Sequence, residues 1–277
     1  MTLDQIIDEA LREDIGDGDH TSDACIPENA LGKAKLLVKE DGVIAGVDLA
    51  LRIFNRVDSS LVVTTIIADG SDIRVGDIVL TVEGSSRSIL KAERLVLNFM
   101  QRMSGIATRT RHLSRLIEGT KTKLLDTRKT TPLLREVEKM AVKLGGGHNH
   151  RFGLYDMVMI KDNHIDMAGG LENALHRVKT HLLAINKDLR IEVEVRSMEE
   201  LEEALNLGGF HRIMLDNFSP ELLALAVKRI KGAYETESSG GITEATIKDH
   251  ARSGVDYISV GALTHNIKSL DLSLKAF

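Results

Sequence analysis

Residues 191–217, IEVEVRSMEELEEALNLGGFHRIMLDN, decide the fold class of this chain. Two short runs of β-branched and aliphatic residues, 191–195 and 212–215, flank an amphipathic segment at 198–207. An apolar run, a helical segment and a second apolar run in this order are typical of two parallel strands joined by a crossover helix. The stretch therefore predicts a parallel α/β sheet.

The same alternation continues on both sides of this stretch. Further strands are predicted at 123–125, 157–160, 233–235 and 257–260, and further helices at 132–144, 171–185, 220–230 and 243–252. An incomplete barrel and an open doubly wound sheet have the same alternation, so the pattern leaves the two architectures open.

The first 118 residues have a different texture. Short β-branched runs separated by Gly and Asp predict a small antiparallel sheet, with strands at 35–39, 43–45, 61–67 and 78–82. A helix is predicted near 48–56, and a longer helix at 88–118 because its apolar residues recur at helical spacing. The chain thus combines a small N-terminal α/β region with a larger parallel one.

Composition restricts the classes of protein that need consideration. The chain has 277 residues, a formal net charge of -5 and aromatic residues at only 3%, which argues against binding to nucleic acid or to an anionic membrane. The single cysteine, Cys25, cannot form an internal disulfide, and no run of about 18 apolar residues predicts a membrane span. We expect a cytoplasmic protein.

Polar residues follow each predicted strand of the parallel region. Because the carboxyl ends of parallel strands meet at one edge, these side chains are expected to converge. Residues 121–164 hold nine Lys and Arg against five Asp and Glu in a chain that is acidic overall. Arginine suits carboxylates and phosphates, and lysine suits phosphate oxygens. The cations predicted at this edge are Arg128, Lys129, His150, Arg151 and Lys161.

Acidic and glycine-rich positions complete the predicted site. Glu194 and Asp216 are oxygen ligands of the kind that Mg²⁺ uses when it also holds substrate phosphates. Glu192 shares a strand face with Glu194, so either glutamate could instead be an interior salt-bridge partner. The sequence Ser239-Gly240-Gly241, before a helix predicted to begin near Thr243, favours a phosphate seat. A polyanionic ligand with a phosphate is therefore predicted.

Several long motifs, in order along the whole chain, resemble the quinolinate phosphoribosyltransferase family. They are EDIGDGDHTS (13–22), AER (92–94), SGIAT (104–108), DTRKTTP (126–132), GGGHNHR (145–151), IKDNH (160–164), EVEV (192–195), LDNF (215–218) and SGGI (239–242). The resemblance implies an incomplete, seven-stranded parallel α/β barrel with an N-terminal α/β sandwich domain. We assign the sandwich to 1–115, with 266–277 as a segment that could join it, and the barrel to 116–265.

The resemblance also implies a reaction and a cofactor. Phosphoribosyl is transferred from phosphoribosyl pyrophosphate to quinolinate with loss of CO₂, giving nicotinate mononucleotide and pyrophosphate in NAD synthesis, with Mg²⁺ held by Glu194 and Asp216. It implies a homodimer whose site is shared between subunits, and leaves a hexamer open.

Residue roles carry over position by position. Quinolinate would be held by Thr127, Arg128, His150, Arg151 and Lys161, with Arg94 arriving from the neighbouring subunit. The ribose and the metal-pyrophosphate group would contact Lys129, Glu194 and Asp216, and the 5′-phosphate would contact Ser239, Gly240, Gly261 and His265. Lys129, Lys161, Glu194 and Asp216 are the predicted catalytic residues.

Two alternatives remain from the sequence. The chain could be another phosphate-binding barrel, or a relative of this family that acts on a different pyridine acid. Residues 33–90 also resemble a biotinyl or lipoyl carrier sheet, but no lysine there stands in the context that such carriers modify.

Overall fold

The computed structural model describes residues 2–277 and divides them into two compact units. The first unit comprises residues 2–111, 129–146 and 262–277, and the second comprises 112–128 and 147–261. The predicted domain boundary at residue 115 stays a prediction. Each of the two units is made of separate segments of the chain, so no single position divides them. The predicted class, an α/β chain with a parallel sheet and a separate small antiparallel sheet, is confirmed.

The N-terminal elements run from residue 3 to residue 116. They are α1 (Leu3–Ile15), α2 (His20–Cys25), β1 (Leu31–Val38), β2 (Gly42–Val43), α3 (Val47–Val57), β3 (Val62–Thr65), β4 (Asp72–Ile73), β5 (Ile78–Ser85) and α4 (Ser86–Leu116).

The remaining elements follow the predicted alternation, with one helix at 162–168 and one strand at 272–276 that were not predicted. They are β6 (Lys123–Leu125), α5 (Arg135–Leu144), β7 (Val158–Ile160), α6 (Asp162–Ala168), α7 (Leu171–Ala184), β8 (Ile191–Val195), α8 (Met198–Leu207), β9 (Arg212–Asp216), α9 (Pro220–Ile230), β10 (Glu235–Ser239), α10 (Ile247–Arg252), β11 (Tyr257–Ser259) and β12 (Leu272–Ala276).

An antiparallel sheet in the order β12-β1-β5-β3 organises the first unit. The last strand in the chain, β12, was not predicted as a strand, yet it pairs with β1 from Ala34 opposite Ala276 to Val38 opposite Leu272. Alternate residues of β1, including Leu36 and Val38, are fully buried, which is the pattern of a sheet with one covered face. Short β2 and β4 pair separately.

The parallel sheet of the second unit has the order β6-β11-β10-β9-β8-β7. Strands β7 to β11 lie side by side in chain order, and the first strand, β6, lies beside the last. This cyclic order is that of a barrel, because a doubly wound sheet reverses direction at an inner strand. The order decides between the two architectures that the alternation left open.

The barrel is incomplete beside β6. The amide of His148 donates to Leu124 O at 2.8 Å, and the amide of Asp126 donates to His148 O at 3.1 Å, so a one-residue bridge lies on the free side of β6. Within residues 2–277, no ladder joins this bridge to β7. The bridge occupies the place where the family resemblance implies a seventh strand.

Two predicted boundaries in the second unit are wrong. The strand predicted at 233–235 is β10, two to four residues further on, so Glu237, Ser238 and Ser239 lie within a buried strand and not after it. The helix predicted from Thr243 begins at Ile247 and has only six residues. In a sequence, polar residues near the end of a strand resemble a loop when the residues that they contact lie on other strands.

The helices cover the sheets through aliphatic side chains. Val193, Ile213 and Leu215 on the strands are fully buried, as are Leu201 on α8 and Leu223 on α9. Among residues 2–277, no helix has both the length and the apolar stretch needed to cross a membrane.

Candidate active site

One face of the parallel sheet carries polar residues at three depths. Glu192 is paired in register with Arg212, and Arg212 with Glu235. One step nearer the carboxyl edge, Glu194 shares a level with Glu237, and at the edge Asp216 pairs with Ser239. Residues two apart on a strand share a face, so all of these side chains project to the same side.

At the carboxyl edge, Glu194 and Lys161 form an ion pair, with 3.3 Å between Lys161 Nζ and Glu194 Oε2. Burial raises the pKa of Glu194 above its ordinary value; Lys161 opposes this shift and the negative charge of Asp216 adds to it. Two carboxylates that repel each other beside one ammonium group form a site that accepts a further cation.

Asp216 and Ser239 meet on neighbouring strands. Ser239 Oγ donates to Asp216 Oδ1 at 2.6 Å, and Asn217 Nδ2 donates to Asp216 Oδ2 at 2.6 Å. The next residue, Gly240, has φ +88°, and a Cβ there would lie 2.2 Å from Asn217 Oδ1. Only glycine fits this turn without displacing Asn217.

The predicted phosphate seat needs a correction in its geometry. Since α10 begins at Ile247, the turn after Gly241 is not the start of a helix, and Thr243 N donates instead to Thr246 Oγ1 at 3.0 Å. Any phosphate bound here would meet the turn amides and Ser239, without the dipole of a long helix.

Arg128 and Arg151 lie close together in the second unit. Burial lowers the pKa of Arg151, and the charge of Arg128 lowers it further. Arg151 Nη1 donates to Met157 O at 3.2 Å, which fixes the guanidinium, while Arg128 is exposed and Thr127 half-buried. Because the two positively charged guanidinium groups repel each other, an anion that binds between them is stabilised.

His150 lies deeper and contacts two glutamates. Its Nε2 is 3.0 Å from Glu192 Oε2 and 3.3 Å from Glu237 Oε2, and both carboxylates are fully buried. Arg212 Nη1 donates to the same Glu237 oxygen at 3.0 Å. These four residues, His150, Glu192, Arg212 and Glu237, form what we call the interior cluster.

The interior cluster holds more protons at neutral pH than its residues would in water. Burial alone would lower the pKa of His150, but the two glutamates raise it to about 9. Burial and the charge of Glu237 raise the pKa of Glu192 to about 7. The amide of Arg151 donates to His150 Nδ1 at 2.7 Å, which orients the ring so that Nε2 faces the two carboxylates. The interior cluster as a whole therefore keeps protons to a higher pH than its separate residues would.

The interior cluster contains a set of atoms that metal ions also use. Ligand atoms of His150, Glu192 and Glu237 lie within 4.8 Å of one another. Arg212 already neutralises Glu237, however, and the ring proton faces the carboxylates. The set is balanced by protein cations and protons, whereas Glu194 and Asp216 lie nearer the carboxyl edge of the sheet.

Asp126 and Asn149, to which the sequence analysis assigned no role, hold the 148–151 segment in place. Asp126 is fully buried; its Oδ1 accepts from the amide of His150 at 2.8 Å and its Oδ2 from Asn149 Nδ2 at 2.6 Å. The signal was present in the motifs, since both residues stand next to predicted ligands. Arg212 and Glu237 were missed because their pairing joins different strands.

The predicted site residues are divided between the two units. Thr127, Arg128, His150, Arg151, Lys161, Glu194, Asp216, Ser239, Gly240 and Gly261 belong to the second unit. Arg94, Lys129 and His265 belong to the first, where all three are exposed. The individual roles predicted for these residues stay predictions.

Comparisons with known proteins agree with the arrangement. The family model described as "Quinolinate phosphoribosyl transferase, N-terminal domain" matches residues 19–104, and "Quinolinate phosphoribosyl transferase, C-terminal domain" matches residues 106–275. The rice protein "Nicotinate-nucleotide pyrophosphorylase [carboxylating], chloroplastic" is 46% identical over 99% of this chain and 77% of its own length. A Bacillus subtilis protein named "Probable nicotinate-nucleotide pyrophosphorylase [carboxylating]" is 39% identical over 99% of this chain and 93% of its own.

A solved structure extends the likeness to three dimensions. The nicotinate-nucleotide pyrophosphorylase from Francisella tularensis superposes with a TM-score of 0.93 at 40% identity, covering 100% of this chain and 98% of that one. Fold and edge chemistry define an α/β-barrel protein built to hold a polyanion. The chain belongs to the quinolinate phosphoribosyltransferase family.

Proposed function

We propose that this chain is an enzyme that transfers phosphoribosyl from phosphoribosyl pyrophosphate to quinolinate with decarboxylation. The products are nicotinate mononucleotide, pyrophosphate and CO₂, a step of NAD biosynthesis. The observation that carries the proposal is the match of both family models over nearly the whole chain, together with basic and acidic side chains at one edge of the barrel. The names of relatives from rice and Bacillus subtilis support the same reaction.

In this proposal the arginines grip quinolinate. Arg128 and Arg151 offer planar forks for the two carboxylates, and their mutual repulsion is relieved when an anion binds. Lys161 and Thr127 complete the contacts, while Asp126 holds the segment that carries His150 and Arg151. His150 would act here chiefly through the rigidity of that segment, because its ring nitrogens already face Glu192, Glu237 and the amide of Arg151.

The phosphoribosyl donor binds at the neighbouring positions. Glu194 and Asp216 face the ribose hydroxyls, and Lys129 faces the pyrophosphate. Ser239, Gly240, Gly261 and His265 hold the 5′-phosphate. Negative charge builds on the departing pyrophosphate while the ribose becomes oxocarbenium-like, so the ammonium group of Lys129 binds the pyrophosphate and assists its departure.

The chemistry balances without an electron-sink cofactor. The pyridine nitrogen of quinolinate attacks the ribose C1, and the bond from C1 to pyrophosphate breaks. The alkylated ring is cationic, so when the adjacent carboxylate leaves as CO₂, the electron pair that remains on the ring carbon is stabilised until a proton adds. The arginines must hold that carboxylate without binding the ground state too tightly.

We propose Mg²⁺ as the cofactor, held by Glu194 and Asp216. The raised pKa of Glu194, with Asp216 among its causes, supports a place for an added cation, and carboxylate oxygens are the donors that Mg²⁺ prefers. When bound, the ion would neutralise the pyrophosphate. Asp216 is oriented for this role by Ser239 and Asn217.

Assembly and location are part of the proposal. We propose a homodimer in which Arg94 of the partner subunit reaches quinolinate, with a hexamer as an alternative assembly. We also propose a cytoplasmic location, although the rice relative is named as chloroplastic. Sedimentation of the purified chain and its localisation by fluorescence test these two statements.

The decisive assay is mass spectrometry of the products. We expect quinolinate, phosphoribosyl pyrophosphate and Mg²⁺ to give nicotinate mononucleotide and CO₂, and nicotinate in place of quinolinate to give no CO₂. Turnover of nicotinate or of another pyridine acid, without turnover of quinolinate, would favour the alternative relative.

A binding experiment tests whether Arg128 binds quinolinate. Arg128→Ala is expected to abolish quinolinate binding in calorimetry while the circular dichroism spectrum stays unchanged. Arg252→Ala serves as the control, because Arg252 is exposed and pairs only weakly with Asp249 three residues earlier. Tight binding by Arg128→Ala would contradict the assignment of Arg128.

A further inference from the structure

A network in the first unit connects Lys129 to residues that neither the sequence motifs nor the family roles single out. At its centre, Arg102 on α4 pairs with Glu138 in the first turn of α5, with 2.8 Å between Arg102 Nε and Glu138 Oε1. Glu138 is fully buried. A buried carboxylate must be paired to be tolerated, so this contact is a fixed point of the unit.

The Arg102–Glu138 pair holds the segment that follows Lys129. Glu138 Oε2 accepts from the amide of Thr131 at 3.1 Å, and Arg102 Nη2 donates to Thr131 Oγ1 at 2.8 Å. Both the backbone and the side chain of Thr131 are therefore tied to the pair. The segment cannot slide along α5 without breaking a charge-assisted hydrogen bond.

The same guanidinium also holds the segment that contains His265. Arg102 Nη2 donates to Thr264 O at 3.2 Å, and Thr264 Oγ1 donates to Lys129 O at 2.8 Å. Thr264 is fully buried and precedes the exposed His265. Arg102, Glu138 and Thr264 thus join two segments whose exposed side chains, Lys129 and His265, are assigned to the phosphoribosyl donor.

We propose that Arg102, Glu138 and Thr264 are positioning residues that set the reach of Lys129 toward the pyrophosphate of the donor substrate. The proposal rests on the proposed function, which assigns Lys129 to that pyrophosphate. A lysine is a point charge on a flexible stem, so its contribution depends on where its backbone is anchored. The Thr264 hydroxyl is the anchor closest to it, since it binds the carbonyl of Lys129 itself.

The test uses Thr264→Val in the full-length chain, because valine preserves shape and removes only the hydroxyl. We expect the KM for phosphoribosyl pyrophosphate to rise about fivefold, the factor that corresponds to about 1 kcal/mol for one net hydrogen bond. The KM for quinolinate should change less than twofold, and Thr264→Ser should restore the original value. Equal rises in both KM values would overturn the proposal.

Thr110→Val is the matched control. Thr110 is also fully buried in the first unit, and its hydroxyl donates to a backbone carbonyl, Ile106 O, at 2.8 Å. We expect the two valine variants to lose similar thermal stability, with only Thr264→Val raising the KM for phosphoribosyl pyrophosphate. The same rise in Thr110→Val would show a general structural effect and overturn the proposal.

A double-mutant comparison separates this inference from the function on which it rests. If Lys129→Ala leaves the KM for phosphoribosyl pyrophosphate unchanged, the assigned role of Lys129 is wrong. If Lys129→Ala raises it, adding Thr264→Val should cause no further rise, because the anchored ammonium group is already gone. A full additional fivefold rise in the double variant would refute positioning through Lys129 while leaving its assigned role intact.

Discussion

Glu192 and Glu194 stand two residues apart on β8, face the same side and are both largely shielded, yet their surroundings differ. Glu192 is fully buried and meets His150 within the interior cluster. Glu194 lies at the carboxyl edge and pairs with Lys161, whose side chain is 44% exposed. The deeper acid contacts only buried partners, whereas the outer acid is paired with a side chain that reaches solvent.

The difference shows how one strand can serve both stability and chemistry. Both carboxylates of the interior cluster are fully buried, so removing a charge from the cluster leaves its partners less well compensated. At the edge, the side chain of Lys161 is partly exposed, so water screens its charge and lowers the cost of separating it from Glu194. A displacement of two residues along a strand, about 7 Å, is enough to separate the two roles.

The strongest test of this comparison removes an acid from the interior cluster. Glu237→Ala leaves Arg212 and His150 without their shared carboxylate and should lower the free energy of unfolding by about 3 to 5 kcal/mol. Urea denaturation measures the change. Glu202→Ala, which breaks an exposed pair with Arg229, should cost no more than about 1 kcal/mol. A similar small loss for Glu237→Ala would contradict the paired interior cluster.

The next test removes the outer acid. Glu194→Gln should lower kcat/KM by about 100-fold, which corresponds to roughly 2.7 kcal/mol, because it removes the carboxylate that we propose faces the ribose and Mg²⁺. The free energy of unfolding should hardly change, since a partly buried negative charge is removed at the same time. Steady-state kinetics and urea denaturation check the two halves. Glu203→Gln on the exposed surface should affect neither.

A smaller effect is expected at the turn that follows β10. Gly240→Ala places a Cβ 2.2 Å from Asn217 Oδ1 at φ +88° and should cost about 2 to 3 kcal/mol of stability, with weaker binding of phosphoribosyl pyrophosphate. Gly232→Ala isolates the backbone contribution, because Gly232 has φ +75° and open space around a Cβ. It should cost about 1 kcal/mol with unchanged binding. Equal losses of stability in the two alanine variants would mean that Asn217 moves aside at little cost, and would contradict the predicted clash.

The smallest change is expected in the pH dependence of the free energy of unfolding. The folded chain raises the pKa of His150 from 6.5 to about 9 and that of Glu192 from 4.5 to about 7, so it holds both protons to higher pH than the unfolded chain. Stability should therefore fall as pH rises, from about 4.5 to 7 for Glu192 and from about 6.5 to 9 for His150.

Glu192→Gln checks this pH dependence. The loss of unfolding free energy between pH 6 and 9 should be smaller in the variant by about 1 kcal/mol, because glutamine does not titrate and His150 loses one of its two acids. Melting temperatures at both pH values provide the measurement. An unchanged difference between pH 6 and 9 would show that the interior cluster does not exchange protons in that range.

Most of the parallel region could be predicted because its signals are local. The strands at Lys123–Leu125 and Ile191–Val195 and the helices at Met198–Leu207 and Pro220–Ile230 begin and end where the pattern predicts. Their apolar residues recur with the period of the element, and caps such as Ser197 and Ser219 mark the helix starts. Strand β12 escaped prediction because it depends on pairing with β1, more than 230 residues earlier.

By itself, the sequence determined the α/β class, the family and the set of charged residues at strand ends. Hydrophobic periodicity, composition and the order of motifs can all be read from residues that are close together in the chain. Only the tertiary structure decided that Glu192 is interior and Glu194 outer, that Glu237 lies within a strand, and that Arg102 binds the segments beside Lys129 and His265. The physical reason is that the state of a charge depends on depth and on partners from distant strands, which no local pattern records.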